Sequence, residues 1–334
     1  MSLTEYLASC PVSNRMSTLQ NRIRNGISVG DGTASLAQSI TWAGSKQTYY
    51  TARLMVDRAL VNDCFRAYAY FRWADDVIDV TSTTDEERIA FIQRQRALIA
   101  RCYRNRRTRQ LLAEEEMVAE LIDHDTQEES GLQSFIRNFL AVIEFDAYRK
   151  GRLISQRELT WYSECLGKSV TDGIQYFIHN GHPYPEADNR YLAAIAAHVT
   201  HMLRDMVSDI DEGFVNIPRE DLARYGIDLQ DVNGPAFRAW VRDRVTLARD
   251  CFRRGKQYLD GLSVLRCKIV GYWYCVRFES VLDTIERDGY TLRAAYHERR
   301  RPSTWLRMIW AAVAITVRHV TRRQFWIRDE AVFV

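Results

Sequence analysis

The sequence predicts an all-α fold, and three observations carry that expectation. The 334 residues contain only 16 glycines and six prolines, and the prolines, at positions 11, 183, 185, 218, 235 and 302, leave long stretches without one. Proline breaks helices, and within these stretches apolar residues recur at helical spacing. Period-two alternation is scarce, and no strand–helix rhythm suggests a parallel sheet.

The elements follow in order. Residues 1–40, with GISVGDGTASLAQS, read as a loosely organised, flexible lead-in. A helical pattern covers about 45 to 80, broken near Val56–Asp57. Residues 85–122 read as one or two charged surface helices. A helix from Leu132 to Ala147 places Phe135, Phe139, Val142, Ile143 and Asp146 along one side. Another covers 156–179, and NGHPYPEADN (180–189) is rich in turn formers. Helices follow over 190–211, 235–260 and 265–288, with a loop and short helix at 213–227. No repeat or low-complexity segment interrupts the chain. No boundary splits the chain into two domains, and the organisation expected is a lead-in over 1–40, a single main domain over 41–292 and a basic amphipathic helix and tail over 293–334.

Composition narrows the class. Seven cysteines, odd in number and never spaced as CxxC, argue against a zinc site or a disulfide framework. They fit a reducing, cytoplasmic setting. MSLTEYLASC has no basic region followed by an apolar core, so no signal peptide is expected. The net charge of +3 is uneven: residues 293–328 hold nine arginines against one acid, Glu298. WLRMIWAAVAITV (305–317) within that tail is too short and interrupted to span a bilayer. Two readings stand side by side: a helix lying on acidic headgroups at the inner face of a membrane, or a final core helix with a solvated basic end. Nucleic acid is not expected as a partner, because no nucleic-acid-binding fold motif accompanies the basic tail.

Two acidic clusters carry the chemistry. In RWADDVID (72–79), Asp75 and Asp79 are four residues apart and stack on one helical face, with Asp76 beside them and Arg72 flanking. In HVTHMLRDMVSDID (198–211), Asp205 and Asp209 repeat the spacing, Arg204 is adjacent, and His198 and His201 fall near the same stripe. Both sit in apolar sequence, where uncompensated carboxylates are costly. Mg²⁺ resolves that cost: it takes one or two carboxylates and completes its shell with water and phosphate oxygens. Arginines add bidentate contacts to the same phosphates. The plainer alternative is a pair of Asp–Arg ion pairs that brace the helices. A metal-held diphosphate is a good leaving group, and the cation left behind needs an apolar, aromatic-lined cavity.

The chain resembles the squalene/phytoene synthase family over about 45 to 290. GSKQTYYTARLMVDRALVNDCFRAYAYFRWADDVID is similar to its opening block, and IEFDAYRKGRLISQRELTWYSECLG to its middle segment. LRDMVSDIDEGFVNIPREDLARYGI is similar to its second aspartate motif and loop, and RRGKQYLDGLS and LDTIERDGYTL to its C-terminal pieces. The resemblance implies a single-domain isoprenoid-synthase helical bundle with a central cavity, with 41–292 as its catalytic domain. It implies that two prenyl diphosphates, farnesyl or geranylgeranyl, are joined head to head through a cyclopropyl intermediate, with Mg²⁺ (two or three ions) and loss of diphosphate. NADPH is implied only for squalene as product. The implied metal ligands are Asp75, Asp76, Asp79, Asp205 and Asp209. The implied diphosphate contacts are Arg72, Arg204, Ser45, Lys46, Tyr50 and His201. Phe71, Tyr162, Lys168, Thr171, Asp172 and Phe278 are implied to line the cavity.

Three departures from the family matter. Its small-residue Val-Ala-Gly-x-Val-Gly stretch reads Leu166-Gly167-Lys168-Ser169-Val170-Thr171 here. Its Gln-xx-Asn is replaced by His198 and His201, each of which suits a phosphate ligand, a base or a satisfied core histidine. Asp172 adds a further carboxylate. These changes keep open a class I terpene cyclase that ionises one C15 or C20 prenyl diphosphate. They also leave a non-catalytic relative, serving assembly or membrane binding, as a third option.

Overall fold

A computed structural model of the chain describes residues 32–79, 84–106, 110–298 and 301–330. Among the described residues there are twelve α-helices and no strand, as the scarcity of glycine, proline and alternation predicts. They are α1 (Gly32–Gly44), α2 (Lys46–Met55), α3 (Val61–Asp79), α4 (Asp85–Cys102), α5 (Ala113–Asp123) and α6 (Gly131–Arg149). There follow α7 (Gln156–Phe177), α8 (Leu192–Asp211), α9 (Arg219–Tyr225), α10 (Pro235–Gly261), α11 (Leu265–Arg287) and α12 (Pro302–Glu330).

Local signals set many of the boundaries. Ser45 caps α2 by accepting the Thr48 N–H. Thr84 and Glu87 form a reciprocal capping box at the start of α4, as do Ser155 and Glu158 at α7. Pro235 opens α10, where its missing N–H is not needed. Gly226 closes α9 in the left-handed region at φ 66°. The break expected near Val56–Asp57 is a change of helix: α2 ends at Met55, and a 3₁₀ turn at Arg58–Leu60 leads into α3.

Expected as a single domain, the described residues form two compact units: those up to Ser130 with Phe139–Tyr148, and Gly131–Asn138 with those from Arg149 onward. In the first, α3 packs against α1 and α5, and its Phe65, Tyr70 and Ile78 are fully buried. Two expectations change here. Residues 32–40, read as flexible lead-in, belong to α1, whose small residues Ala34 and Ala37 are buried; tertiary packing overrides the loop-like composition. Residues 1–31 lie outside the described residues. The segment 85–122 is not wholly a surface. Met117, Val118 and Leu121 are buried, and the buried Glu115 accepts Arg94 Nε and Nη2, each at 2.6 Å, and Gln95 Nε2 at 3.0 Å. Burial alone would raise the Glu115 pKa, but these bonds hold it below the ordinary value.

In the second unit α8 is central, packed on α7, α10 and α11. Glycines allow the close crossings. A Cβ on Gly255 would meet the backbone nitrogen of Ala193 at 2.4 Å, and one on Gly167 would meet Ile195 Cγ1 at 2.7 Å. The last helix, α12, docks on α11 through the buried Thr304, Met308 and Ile315. Trp273 Nε1 donates to the Met308 carbonyl at 2.9 Å, and Arg307 pairs with Asp283 at 2.7 Å. Its opposite face carries Leu306, Ile309, Trp310, Val313, Val317 and Val320, all exposed. No helix among the described residues is long and apolar enough to cross a membrane.

Candidate active site

The first aspartate cluster ends α3. Arg72 reaches one turn forward: its Nε donates to Asp76 Oδ2 at 3.1 Å and its Nη2 to Oδ1. Asp75 Oδ2 is 4.0 Å from Arg72 Nη1. Arg72 therefore grips Asp76 more closely than Asp75. The Asp75 and Asp76 side chains are 42% and 34% exposed. The apolar context of the motif overstated their burial, because Trp73, Ala74 and Ile78 take the inward face. The Asp79 side chain lies outside the described residues.

In the same unit, Ser45 spends its hydroxyl on capping, accepting Thr48 Oγ1 at 2.8 Å. Lys46 Nζ sits 5.2 Å from the centre of the Trp42 ring, and the exposed Tyr50 lies edge-on to Trp42 and Tyr49. Phe71 is buried against Tyr70 and Phe139, with ring centres 4.9 and 4.5 Å away.

The second cluster occupies the last two turns of α8. Arg204 donates through Nε to Asp205 Oδ1 at 2.5 Å and through Nη2 to Oδ2, and His201 Nε2 lies 2.9 Å from the same carboxylate. Burial pushes the Asp205 pKa up, but Arg204 and His201 outweigh it and hold the carboxyl well below the usual range. Arg204 Nη1 is buried without a hydrogen-bond partner. Asp209 Oδ2 accepts Asn216 Nδ2 at 2.9 Å, and Asn216 Oδ1 accepts Arg149 Nη1 at 2.9 Å. The Arg149 guanidinium lies 5.1 Å from the ring centres of both Tyr162 and Phe214. Tyr162 meets His198 edge-to-face at 4.9 Å. One line of contacts therefore runs from Asp209 through Asn216, Arg149 and Tyr162 to His198. Arg149 and Asn216 were not singled out in the sequence. Asn216 carries a signal as a polar residue between Phe214, Val215 and Ile217, whereas Arg149, next to Lys150 and Arg152, carries none.

The other expected cavity residues diverge. Phe278 is buried beside Tyr274 and near His201, at 5.1 and 6.3 Å. Lys168 is exposed on α7 and Thr171 is half-buried. Asp172 is buried in a structural ion pair, with Arg190 Nη2 at 3.0 Å from Oδ1 and Ser134 Oγ donating to Oδ2 at 2.5 Å. A cavity of about 250 Å³ does open among α7, α8 and α10, lined by Leu159, Ser163, Val199, Met202, Trp240 and Leu247, and none of the expected site residues lines it.

Among the described residues, no three or more His, Cys, Asp or Glu side chains are gathered as a ready metal cage. The donors that are present still fit Mg²⁺, which needs only one or two carboxylates when phosphate oxygens complete its shell. The buried, partnerless Arg204 Nη1 is a donor that an oxygen-rich ligand beside Asp205 would satisfy.

Comparison with solved structures gives the fold. A squalene synthase from Alicyclobacillus acidocaldarius is similar at TM-score 0.62 and 18% identity, covering 78% of this chain and 96% of that one. A dehydrosqualene synthase solved with a ligand is similar at TM-score 0.64 and 14% identity, covering 86% and 97%. In sequence, the chain is 27% identical over 136 residues to a 15-cis-phytoene synthase of Synechococcus elongatus, covering 39% of this chain and 43% of the relative. It is 27% identical over 123 residues to the 15-cis-phytoene synthase of a Synechocystis species, covering 35% and 36%. The chain thus matches less than half the length of either curated relative. The family model for squalene/phytoene synthase matches residues 43–307, most of the chain and both aspartate clusters, and the chain belongs to that family.

Proposed function

We propose that the chain is a Mg²⁺-dependent prenyltransferase that joins two prenyl diphosphates, farnesyl or geranylgeranyl, head to head with loss of diphosphate. The observation that carries this is the pair of Arg–Asp clusters, Arg72 with Asp75 and Asp76 and Arg204 with Asp205, on the two segments where the family match and the aspartate spacing coincide. Asp75, Asp76 and Asp79 on α3, and Asp205 and Asp209 on α8, would hold the ions. Bound there, Mg²⁺ would neutralise charge developing on the leaving diphosphate. Arg72 and Arg204 would turn their forks from their own-helix carboxylates to phosphate oxygens. His201, half-exposed beside Asp205, would contact diphosphate, as would Ser45, Lys46 and Tyr50. The C–O bond breaks, diphosphate leaves with the electron pair, and the double bond of the second substrate attacks the allylic cation. One proton from C1 of that substrate passes to the departed diphosphate as the cyclopropane closes. The second diphosphate then leaves with its electron pair and regenerates a cation. Tyr162 and Phe278, both buried, would keep water from that cation and face it with ring electrons.

The exposure of Lys168 and the pairing of Asp172 with Arg190 favour coupling over the single-substrate cyclase, because neither polar departure is left to crowd a second chain. The test is incubation of the purified protein with Mg²⁺ and each diphosphate, with and without NADPH, and mass spectrometry of the extract. A C30 or C40 product supports coupling and fixes the substrate. A C15 or C20 hydrocarbon or alcohol supports the cyclase. NADPH enters only if the product is squalene.

The exposed apolar face of α12 bears on where this happens. With Trp305 and Trp310 beside arginines, it suits the interface of an anionic bilayer, where tryptophan settles at headgroup depth. Peripheral contact there would place the enzyme next to its lipid-soluble product.

A further inference from the structure

His198 is 4% exposed, and neither of its ring nitrogens has a hydrogen-bond partner. Folded proteins rarely leave a buried polar group without a hydrogen-bond partner. Its surroundings are aromatic and cationic: Tyr162 stands edge-on at 4.9 Å, and Arg149 lies over the Tyr162 ring. Burial first, then His201 and Arg149, hold the imidazole unprotonated, its pKa lowered to about 3. A lone pair is therefore open at neutral pH. His198, His201 and Asp205 are spaced i, i+3 and i+7, so they share one face of α8. His198 lies about 10 Å along the axis from Asp205, at the helical rise of about 1.5 Å per residue. The two histidines differ in use. His201 is committed to the Asp205 carboxylate, whereas His198 sits deeper, among rings.

We propose that His198 is the proton acceptor that ends the carbocation sequence in this chain, an assignment that rests on the prenyl diphosphate reading. The C–H bond next to the cationic carbon breaks, its electron pair becomes the π bond of an alkene, and the proton passes to an unprotonated ring nitrogen of His198. The imidazolium returns that proton to the departing diphosphate or to water when the product leaves. No reductant is consumed, so the product is an alkene formed by proton loss, made without NADPH.

The test reads the ratio of alkene to alcohol among products formed by the full chain with Mg²⁺ and farnesyl or geranylgeranyl diphosphate, in the absence of NADPH. His198→Gln keeps the approximate shape of the ring but takes no proton, so the ratio should fall at least tenfold as water traps the cation. His198→Ala should show the same loss, and added imidazole should restore alkene severalfold. An unchanged ratio in His198→Gln overturns the assignment. So does a variant that melts as the wild type but releases no diphosphate and gains nothing from imidazole, because the acceptor of a late proton is not needed for the first bond to break. Wild-type protein that makes alkene only with NADPH overturns it while leaving the prenyltransferase reading intact. Absence of diphosphate release from the wild type with either substrate overturns both.

Discussion

Arg72 holds Asp76 by two hydrogen bonds and leaves Asp75 at 4.0 Å, so neighbouring aspartates of one motif stand in different electrostatic settings. Asp75→Ala should lower diphosphate release at least a hundredfold, on the scale of losing one transition-state charge partner. Asp76→Asn should lower it less, because it releases Arg72 from its resting pair. Release measured with saturating Mg²⁺, alongside melting curves, checks this. Equal losses in the two variants would assign them equal roles.

Asp205 should be as sensitive as Asp75. Asp205→Ala is expected to abolish release while leaving the fold intact. Near-normal release in either variant would end the two-cluster mechanism.

Asn216 joins Arg149 to Asp209, and both partners lose a bond when it is removed. Asn216→Ala should cost about 1–3 kcal/mol of stability, the scale for leaving a buried partner unsatisfied. Urea unfolding measures this. A change under a few tenths of a kcal/mol would show that water replaces the amide without penalty.

The pH dependence of stability follows from His198. Its folded pKa, lowered to about 3, lies below the unfolded value of roughly 6.5. Between the two, the unfolded chain binds a proton that the folded chain does not, so acid favours unfolding. The contribution is flat above about pH 6.5 and worsens by up to about 1.4 kcal/mol per pH unit below it. His198→Gln should remove that slope. Parallel curves for variant and wild type from pH 7 to 4.5 would contradict the sign or the site.

The exposed stripe of α12 should bind vesicles that contain anionic lipid and should release them in high salt. Ile309→Glu with Trp310→Glu should weaken flotation with such vesicles at least tenfold and leave melting nearly unchanged, because both side chains point away from α11. Self-association of wild type that the same pair abolishes, with no vesicle binding, would assign the face to a second copy.

Much of the fold was legible because helical spacing, caps and breakers agree. The change of helix after Met55 and the starts of α7 and α10 sit where Ser155, Pro235 and the Val56–Asp57 break put them. Residues 32–40 were not legible, because Gly, Thr and Ser read as loop until Ala34 and Ala37 find a partner to pack against. At the site, the arginine and aspartate positions could be read from spacing, but the pairing of Arg72 could not. One turn forward and three residues forward are both in reach of an arginine, and only the fold chooses. Lys168 and Asp172 lie in the segment that the resemblance reads as cavity-lining, and spacing alone does not say which face of α7 each one takes. The exposure of one and the Arg190 pairing of the other depend on contacts far along the chain.

At Gly255 the backbones of α10 and α8 touch, with Ala193 on the other side and no layer of side chains between. That crossing offers nothing to trim. An enzyme of this lineage adapting to a longer hydrocarbon cannot gain length there by shortening a residue, and any enlargement at Gly255 forces the two helices apart and carries the aspartates of α8 with them. On the proposed prenyltransferase reading, variation in product size falls on side chains such as Tyr162 and Phe278. Gly255 itself should resist replacement even by alanine.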